Sequence, residues 1–378
     1  MTDQRETLSA PGLGFCLDAS PAPWASARDT GDRGAVARAV ARTIEIGRMG
    51  DEAGVESLWL SEDPDSWDAF AVLGAIARET QRIRLGTGVT NPFYRHPSLI
   101  AASVSTLDLL SGGRAFLGMG RGQSEWYATG LGMRVGKPVQ ALEETFDLLG
   151  QWWSADRRAT ARDGASEFLV DGWERTFRPL QEHVPIYLAA VGPRALRIAG
   201  RFADGVLFND LSSLQFMEEA IDTVRAEAVR SGRDPKGLSF YARAAITITG
   251  DPEAVYERRK STVALIHALP GMERLLKTDG VDVERIIGEV RREMQTDAIL
   301  AAGGGFGDLR RGGDLAAARR AIPNDLMKEL VVAGPVANVR ARLEQFREIG
   351  VTHVFLAAPG PDATAESLGE LLTSLGGR

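Results

Sequence analysis

Three polar side chains follow a short apolar run near residue 60. The run SLWL, Ser57–Leu60, is directly followed by Ser61, Glu62 and Asp63. Two adjacent carboxyl groups at the end of a strand could donate a proton to a substrate or take one from it. The alternative is that one carboxylate caps the following turn while the other is solvated. The sequence leaves both open.

Two glycine-rich segments follow later apolar runs. In residues 86–92 (GTGVTNP), two glycines weaken a strand and indicate a bulge or a ligand close to the backbone. The alternative is a strand end that needs positive φ. In residues 118–124 (GMGRGQS), alternating glycines let a flat ring or a phosphate approach the main chain. We predict ligand contacts at Gly88, Val89, Thr90, Asn91, Gly120, Gly122 and Ser124, with Gln123 and Ser124 orienting a substrate.

A third candidate site is the helix start that follows the run PIYLAA. The segment VGPR, residues 191–194, places Gly192 and Pro193 at the beginning of a helix, with Ala190 just before them. The first N–H groups of a helix are unpaired and attract an anion, so we expect a phosphate here. An ordinary Gly-Pro helix start is the alternative. Asn209 follows the next run, GVLFN, where it either contacts a ligand or caps the next helix.

These candidates need a scaffold that brings strand ends together. Amphipathic helical stretches separate most of the eight short apolar runs, which favours a parallel sheet. The runs are residues 13–17, 57–60, 83–89, 115–119, 185–190, 205–209, 238–249 and 351–357. Eight such units predict an α/β fold of the (β/α)8 TIM-barrel type, whose functional groups lie at the C-terminal strand ends. An open doubly wound sheet is disfavoured because no GxGxxG follows the first run.

One segment interrupts the repeat before the last strand. Residues 252–327 predict two or three helices and contain the glycine-rich stretch AAGGGFGDLRRGG. We expect one domain over residues 1–378, with this helical insertion acting either as a lid or as a surface contact between subunits.

Bulk properties exclude several classes of protein. The net charge of −7 over 378 residues disfavours a nucleic-acid partner. The single cysteine, Cys16, cannot form an internal disulfide, and the four histidines have no metal-ligand spacing. The polar start MTDQRETLSAPG and the lack of a long apolar run predict a cytoplasmic chain without signal peptide or membrane span.

The glycine segments carry a resemblance to a known family. Residues 85–122 (LGTGVTNPFYRHPSLIAASVSTLDLLSGGRAFLGMGRG), residues 184–209 (VPIYLAAVGPRALRIAGRFADGVLFN) and the run SLWLSED closely resemble the luciferase-like flavin and deazaflavin oxidoreductases. The chain is most similar to the methylenetetrahydromethanopterin reductase branch, in which the cofactor is coenzyme F420.

The resemblance implies a tricyclic ring at the C-terminal mouth of the barrel. It implies a cis peptide bond between Gly88 and Val89 behind the ring, and a phosphate at Gly192 and Pro193. The resulting hypothesis is F420-dependent hydride transfer to or from a small organic substrate, by reduction of C=C or C=N or the reverse. An FMN-dependent monooxygenase and a non-catalytic ligand-binding barrel are the alternatives, and members of the family are often homodimers.

Two positions depart from the family pattern. Many relatives carry a histidine where this chain has Asp63, and an acidic residue where it has Gln123. The identities of the substrate and of the proton donor therefore stay open. Our candidates for catalysis are Glu62 or Asp63 as the donor and Gln123 as an orienting group, and the further candidates for cofactor binding are Ala190, Gly192, Pro193 and Asn209.

Overall fold

Eight parallel strands close on themselves into a barrel in the computed structural model, which describes residues 12–19, 32–63, 66–122, 124–162 and 165–376. The (β/α)8 prediction is confirmed. The strands in the described residues are β1 Gly14–Asp18, β2 Ser57–Leu60, β3 Arg84–Thr87, β4 Ala115–Met119, β5 Arg158–Ala161, β6 Val170–Glu174, β7 Ile186–Ala189, β8 Gly205–Phe208, β9 Ser239–Ile248, β10 Ala333–Gly334 and β11 His353–Leu356.

Helices follow most barrel strands and cover the outside. Among the described residues they are α1 Arg33–Ala53, α2 Ala69–Glu79, α3 Pro97–Ser111, α4 Ser124–Leu131, α5 Pro138–Trp153, α6 Pro193–Phe202, α7 Leu214–Arg230, α8 Pro252–Thr262, α9 Val283–Glu293, α10 Thr296–Ala301, α11 Phe306–Gly312, α12 Leu315–Ala321, α13 Asn324–Leu330, α14 Val336–Glu348 and α15 Ala365–Ser374. A π-helical turn spans Val263–His267, and 3-10 turns span Pro235–Gly237 and Glu273–Leu276.

The barrel order is β1-β2-β3-β4-β7-β8-β9-β11, and β11 pairs with β1 to close it. Local signals set the helix ends. Asp68 caps α2 by accepting from the Ala71 N–H (3.1 Å), and α3 begins at Pro97 and ends at Gly112, which has a φ of 69°. Because all the barrel strands are parallel, their C-terminal ends lie at the same rim.

Aromatic side chains fill the inside of the barrel. Trp59 lies at the centre, with ring centroids 4.4 Å from Phe116 and 4.9 Å from Tyr241, and Tyr187 lies 4.7 Å from Tyr241. Together with Cys16, Leu207 and Phe355 they form a separate buried cluster, the aromatic plug. Because these side chains are buried and packed against one another, we expect a ligand to bind above the plug, at the rim.

The hairpin of β5 and β6 is a feature that the sequence analysis missed. These strands pair antiparallel between α5 and β7, outside the barrel. They are short, and most of their side chains are exposed, so they lack the apolar alternation that identifies a strand.

The insertion contains six α-helices, α8 to α13, where the sequence predicts two or three. Four of them are only six or seven residues long and are hard to distinguish from loops by periodicity. The insertion packs around its own apolar cluster, which includes Val263, Leu276, Met294 and Leu326. It returns to the barrel through β10, which extends the far end of β9.

Two polar contacts at Asp210 join the insertion to the barrel rim after β8. Arg259 forms an ion pair with Asp210. Burial lowers the pKa of His267 below its ordinary value of 6.5, so the neutral ring donates its Nε2–H to the Asp210 carbonyl at 2.9 Å. On the other side, a side chain at Gly303 would come within 3.2 Å of Thr129 in α4. The insertion therefore reaches from the end of β8 to the helix that follows β4.

Asp51 fixes the entry into β3, and its replacement gives a first prediction. Its carboxylate accepts from the backbone N–H groups of Gln81 (3.0 Å), Arg82 (2.7 Å) and Ile83 (2.7 Å). Burial alone would raise the pKa of Asp51, but these bonds outweigh it and hold the pKa below 3.8. We expect Asp51→Asn to lower the free energy of unfolding by about 1–2 kcal/mol at pH 7.

The pH dependence follows from the lowered pKa of Asp51. A carboxyl group whose pKa is depressed by folding stabilises the protein above its unfolded pKa and loses that contribution as the pH falls. The difference between wild type and Asp51→Asn in urea denaturation should therefore shrink below pH 4. Asp171→Asn, at an exposed ion pair with Arg162, is the control and should change stability by less than about 1 kcal/mol. A difference that persists at low pH would contradict the assignment.

Candidate functional site

The rim at the C-terminal strand ends brings most of the predicted residues together. A side chain at Gly120 would lie 3.0 Å from Val89 Cγ2 and 3.4 Å from Ala189 Cβ. Gly120 thus lies between the segment after β3 and the end of β7. The last residue of β7, Ala189, is three residues before Gly192 in the chain. Val89 is half-buried and packs on the aromatic plug. These residues form the floor of the mouth.

The segment after β3 is held from two sides through one carbonyl group. The Gly88 carbonyl accepts from Arg243 Nη2 at 2.7 Å and from the Ser61 hydroxyl at 3.0 Å. The peptide bond between Gly88 and Val89 is cis, as the resemblance implies. The next residue, Thr90, donates its N–H to the Gly118 carbonyl and so connects this segment to β4.

Arg243 is a site residue that the sequence analysis missed. It lies within β9, and its Nη2 also pairs with Asp18 Oδ2 at 2.9 Å, at the end of β1. Its guanidinium carbon lies 5.6 Å from the centre of the Phe355 ring in the plug. Its Nε is buried without a hydrogen-bond partner among the described residues. The sequence did carry a signal for Arg243, since it is the single charged residue inside the apolar run SFYARAAITIT.

Glu62 lies beneath the rim in a buried ion pair. Its side chain is 1% exposed, and its carboxylate accepts from Arg95 Nε at 3.0 Å and from the Thr90 hydroxyl. Arg95 also pairs with Asp68 at 2.9 Å. Burial alone would lower the pKa of Arg95, but its bonds to Glu62 and Asp68 outweigh that and raise it. The geometry gives Glu62 a role in positioning Thr90, and its side chain is not open to a substrate.

Asp63 differs from its neighbour because it is exposed at the rim. Of the two adjacent carboxylates, it is the one that a substrate can reach. Asn91 is buried, and its Oδ1 accepts from the N–H groups of Phe93 (3.1 Å) and Tyr94 (2.9 Å). Its amide nitrogen donates to the Tyr127 hydroxyl at 3.3 Å, so Asn91 shapes the loop below the mouth.

The glycines after β4 leave little room for side chains. Gly122 has a φ of 62°, and a side chain there would approach Asn91 and Tyr127 to 2.8 Å. The predicted orienting group Gln123 lies outside the described residues. Ser124 begins α4, but its side chain also lies outside them.

The start of α6 is open, as the phosphate prediction requires. Gly192 is its N-cap, Pro193 occupies the first position, and none of the described side chains caps the helix. A side chain at Gly192 would meet no atom within 4 Å. The first-turn N–H groups are therefore accessible to a ligand.

Asn209 follows β8 but does not cap α7, so the capping alternative is wrong. Ser213 caps that helix by accepting from the Phe216 N–H at 3.1 Å. The Asn209 side chain accepts from the Asp210 N–H at 2.9 Å, and its amide nitrogen has no partner among the described residues.

The family assignment follows from comparison with known proteins. The model of the luciferase-like monooxygenase family matches residues 22–353. The chain belongs to this family. The resemblance described from the sequence is thereby confirmed. Within the described residues, no three His, Cys, Asp or Glu side chains are grouped to hold a metal ion, and no helix is long and apolar enough to cross a membrane.

Relatives within the luciferase-like family carry specific names. The chain is 28% identical over 326 residues to the 5,10-methylenetetrahydromethanopterin reductase of Methanolobus tindarius, covering 85% of this chain and 92% of that protein. It is 28% identical over 327 residues to a putative coenzyme F420-dependent oxidoreductase of Mycobacterium tuberculosis, covering 83% and 90%. The coenzyme F420-dependent tetrahydromethanopterin reductase of Methanopyrus kandleri has the same fold, with a TM-score of 0.72 at 24% identity over 96% and 97% of the chains.

The mouth of this luciferase-like barrel fits a planar ring with a phosphate tail. A Cβ at Gly120 would contact both Val89 and Ala189. Because glycine has no Cβ, the backbone at this position stays accessible to a ligand. In the part of the chain that the structure describes, the buried Nε of Arg243 lacks a hydrogen-bond partner and no side chain caps the start of α6. A flat floor, an orphaned donor and open N–H groups at one rim suit such a ligand.

Proposed function

We propose that this chain is a coenzyme F420-dependent oxidoreductase acting on a small organic substrate. The observation that carries the proposal is the shared mouth, where Gly120 connects the half-buried Val89 to the end of β7, just before the open start of α6. A relative at 28% identity that is named as a putative coenzyme F420-dependent oxidoreductase supports the choice of cofactor.

The chain's own residues have distinct roles in this proposal. Val89 supports the ring from the plug side, and Gly120 and Gly122 let it approach the backbone. The first-turn N–H groups after Gly192 and Pro193 bind the phosphate. Ala190 and Asn209 border the same mouth, and Thr90 and Asn91 shape the loop behind the ring.

Hydride transfer is the chemistry that the deazaflavin supplies when bound. The protein's share is to hold the substrate against the ring, exclude water and move one proton. Asp63, exposed at the rim, is the proposed donor of the proton that reduces a C=C or C=N bond together with the hydride. Gln123 and Ser124 orient the substrate. Glu62 acts through Thr90 and is a positioning residue.

The insertion is proposed as a lid over the mouth. It is attached at Asp210 after β8 and reaches Thr129 in α4, so it spans the rim on the β4–β7–β8 side. Amide hydrogen exchange in α8 to α13 should slow when the cofactor and substrate are bound. Unchanged exchange there, with slowing only in the barrel, would favour a contact between subunits instead.

The proposed function is tested by titrating the purified protein with F420 and with FMN. We expect F420 to bind at micromolar concentration or below, detected by its fluorescence, and FMN to bind at least about tenfold more weakly. Tight FMN binding without F420 affinity would replace the proposal with the FMN-dependent monooxygenase. Binding of neither cofactor would leave the non-catalytic barrel.

Replacing Gly120 tests the floor of the mouth. In Gly120→Ala, the new methyl group meets Val89 at 3.0 Å, so Val89 must shift by a few tenths of an ångström. We expect F420 affinity to fall severalfold and stability to fall by about 1 kcal/mol. Gly74→Ala in α2 is the control, because the added Cβ would lie at an ordinary 3.5 Å from Leu110 in α3. Unchanged F420 affinity in Gly120→Ala would remove this glycine from the site.

A further inference from the structure

A second cavity lies on the outside of the barrel, between the starts of α5 and α6. It has a volume of about 810 Å³. The charged side chains on its wall are Lys137, Glu143, Arg194, Arg197, Arg201 and Glu227. Both carboxylates already have arginine partners, since Glu143 pairs with Arg201 at 2.8 Å and Glu227 pairs with Arg230.

Three positively charged side chains of this cavity form no ion pair with another described residue. Lys137, Arg194 and Arg197 are exposed, and none has an ion-pair partner among the described residues. Arg194, Arg197 and Arg201 are three and four residues apart, so they share one face of α6. Like charges at this spacing repel each other. Cations in a first helical turn also oppose the helix dipole. An anionic ligand would relieve all of these costs.

The position of the cavity identifies its ligand within the proposed function. Arg194 lies two residues after Gly192, at the helix start proposed to bind the cofactor phosphate, and the cavity continues from there along α6 to Arg201. F420 carries a chain of γ-linked glutamate residues beyond its phosphate. We infer that this cavity binds the carboxylates of that tail, with Lys137 and Arg197 as the principal contacts. The inference rests on the proposed function.

Two cofactor forms and two double variants test the inference. The two ligands are F420 without glutamate and F420 with several glutamates. Each is titrated by fluorescence at low salt against three proteins. These are the wild-type protein, the double variant Lys137→Gln/Arg197→Gln and the control Arg48→Gln/Lys236→Gln. The control removes the same two residue types at exposed positions outside the cavity. Thermal unfolding of each variant verifies that it is folded.

We expect the tailed form to bind the wild-type protein and the control about tenfold more tightly than the tail-less form. Two exposed ion pairs of up to about 1 kcal/mol each would give at most about a thirtyfold preference. The preference should disappear in Lys137→Gln/Arg197→Gln and in high salt, while the tail-less form should bind all three proteins alike. Equal binding of the two forms to the wild type, or a preference that survives in this double variant, would overturn the inference and leave the proposed function intact. Binding of neither form would overturn both.

Discussion

Replacing Arg243 with methionine should weaken F420 binding by about tenfold or more and lower the free energy of unfolding by about 2–4 kcal/mol. The Gly88 carbonyl would keep only the Ser61 hydroxyl, so the segment that carries Val89 would lose its anchor from β9. Asp18, half-buried at the end of β1, would lose its ion pair with Arg243. Urea denaturation and fluorescence titration measure the two effects separately.

The double variant Asp18→Asn/Arg243→Met separates anchoring from stability. Removing both members of a partly buried ion pair costs less than removing one, because the half-buried carboxylate that the arginine had compensated is then removed as well. We expect the double variant to recover at least half of the lost stability. Its F420 affinity should stay low, because the Gly88 carbonyl still lacks its donor from Arg243. Recovery of affinity together with stability would show that Arg243 matters only for folding.

Replacing Glu62 with alanine should destabilise the protein by about 3 kcal/mol. The change removes a buried carboxylate and leaves Arg95 with Asp68 as its remaining ionic partner, and breaking a buried pair from one side costs about 3–5 kcal/mol. Asp68→Asn is the matched control, because it removes the exposed partner of the same arginine and should cost less than about 1 kcal/mol. Equal losses in the two variants would contradict the buried network.

Glu62→Gln and Asp63→Asn distinguish positioning from proton donation. Glutamine keeps the size of Glu62 and an acceptor for Thr90, so kcat and its pH profile should change little while stability falls by about 1–2 kcal/mol. In Asp63→Asn, kcat should fall by about a hundredfold, with an altered pH profile and unchanged F420 affinity. A stable but inactive Glu62→Gln would return the donor role to Glu62.

Much of the fold was predictable because its signals are local. Alternating apolar runs and helical stripes give the eight barrel strands, and caps such as Asp68 and Gly112 give the helix ends. The hairpin of β5 and β6 escaped prediction because it is mostly exposed and lacks a buried face. The short helices of the insertion escaped because each is hard to separate from a loop in the sequence.

The candidate site was predictable only in outline. Residues after the strands could be located because a parallel barrel collects strand ends at one rim. The partners could not be located, since Arg243 meets Gly88 across 155 positions and Arg95 meets Glu62 across 33. Burial separates two adjacent carboxylates, Glu62 and Asp63, that look equivalent in the sequence.

The most direct test of the account is a crystal structure of this protein with oxidised F420. We expect the ring against Val89 and Gly120, above the aromatic plug, and the phosphate at the first turn of α6 beside Gly192. A ring bound away from Val89, or a phosphate held elsewhere than at that helix start, would contradict it.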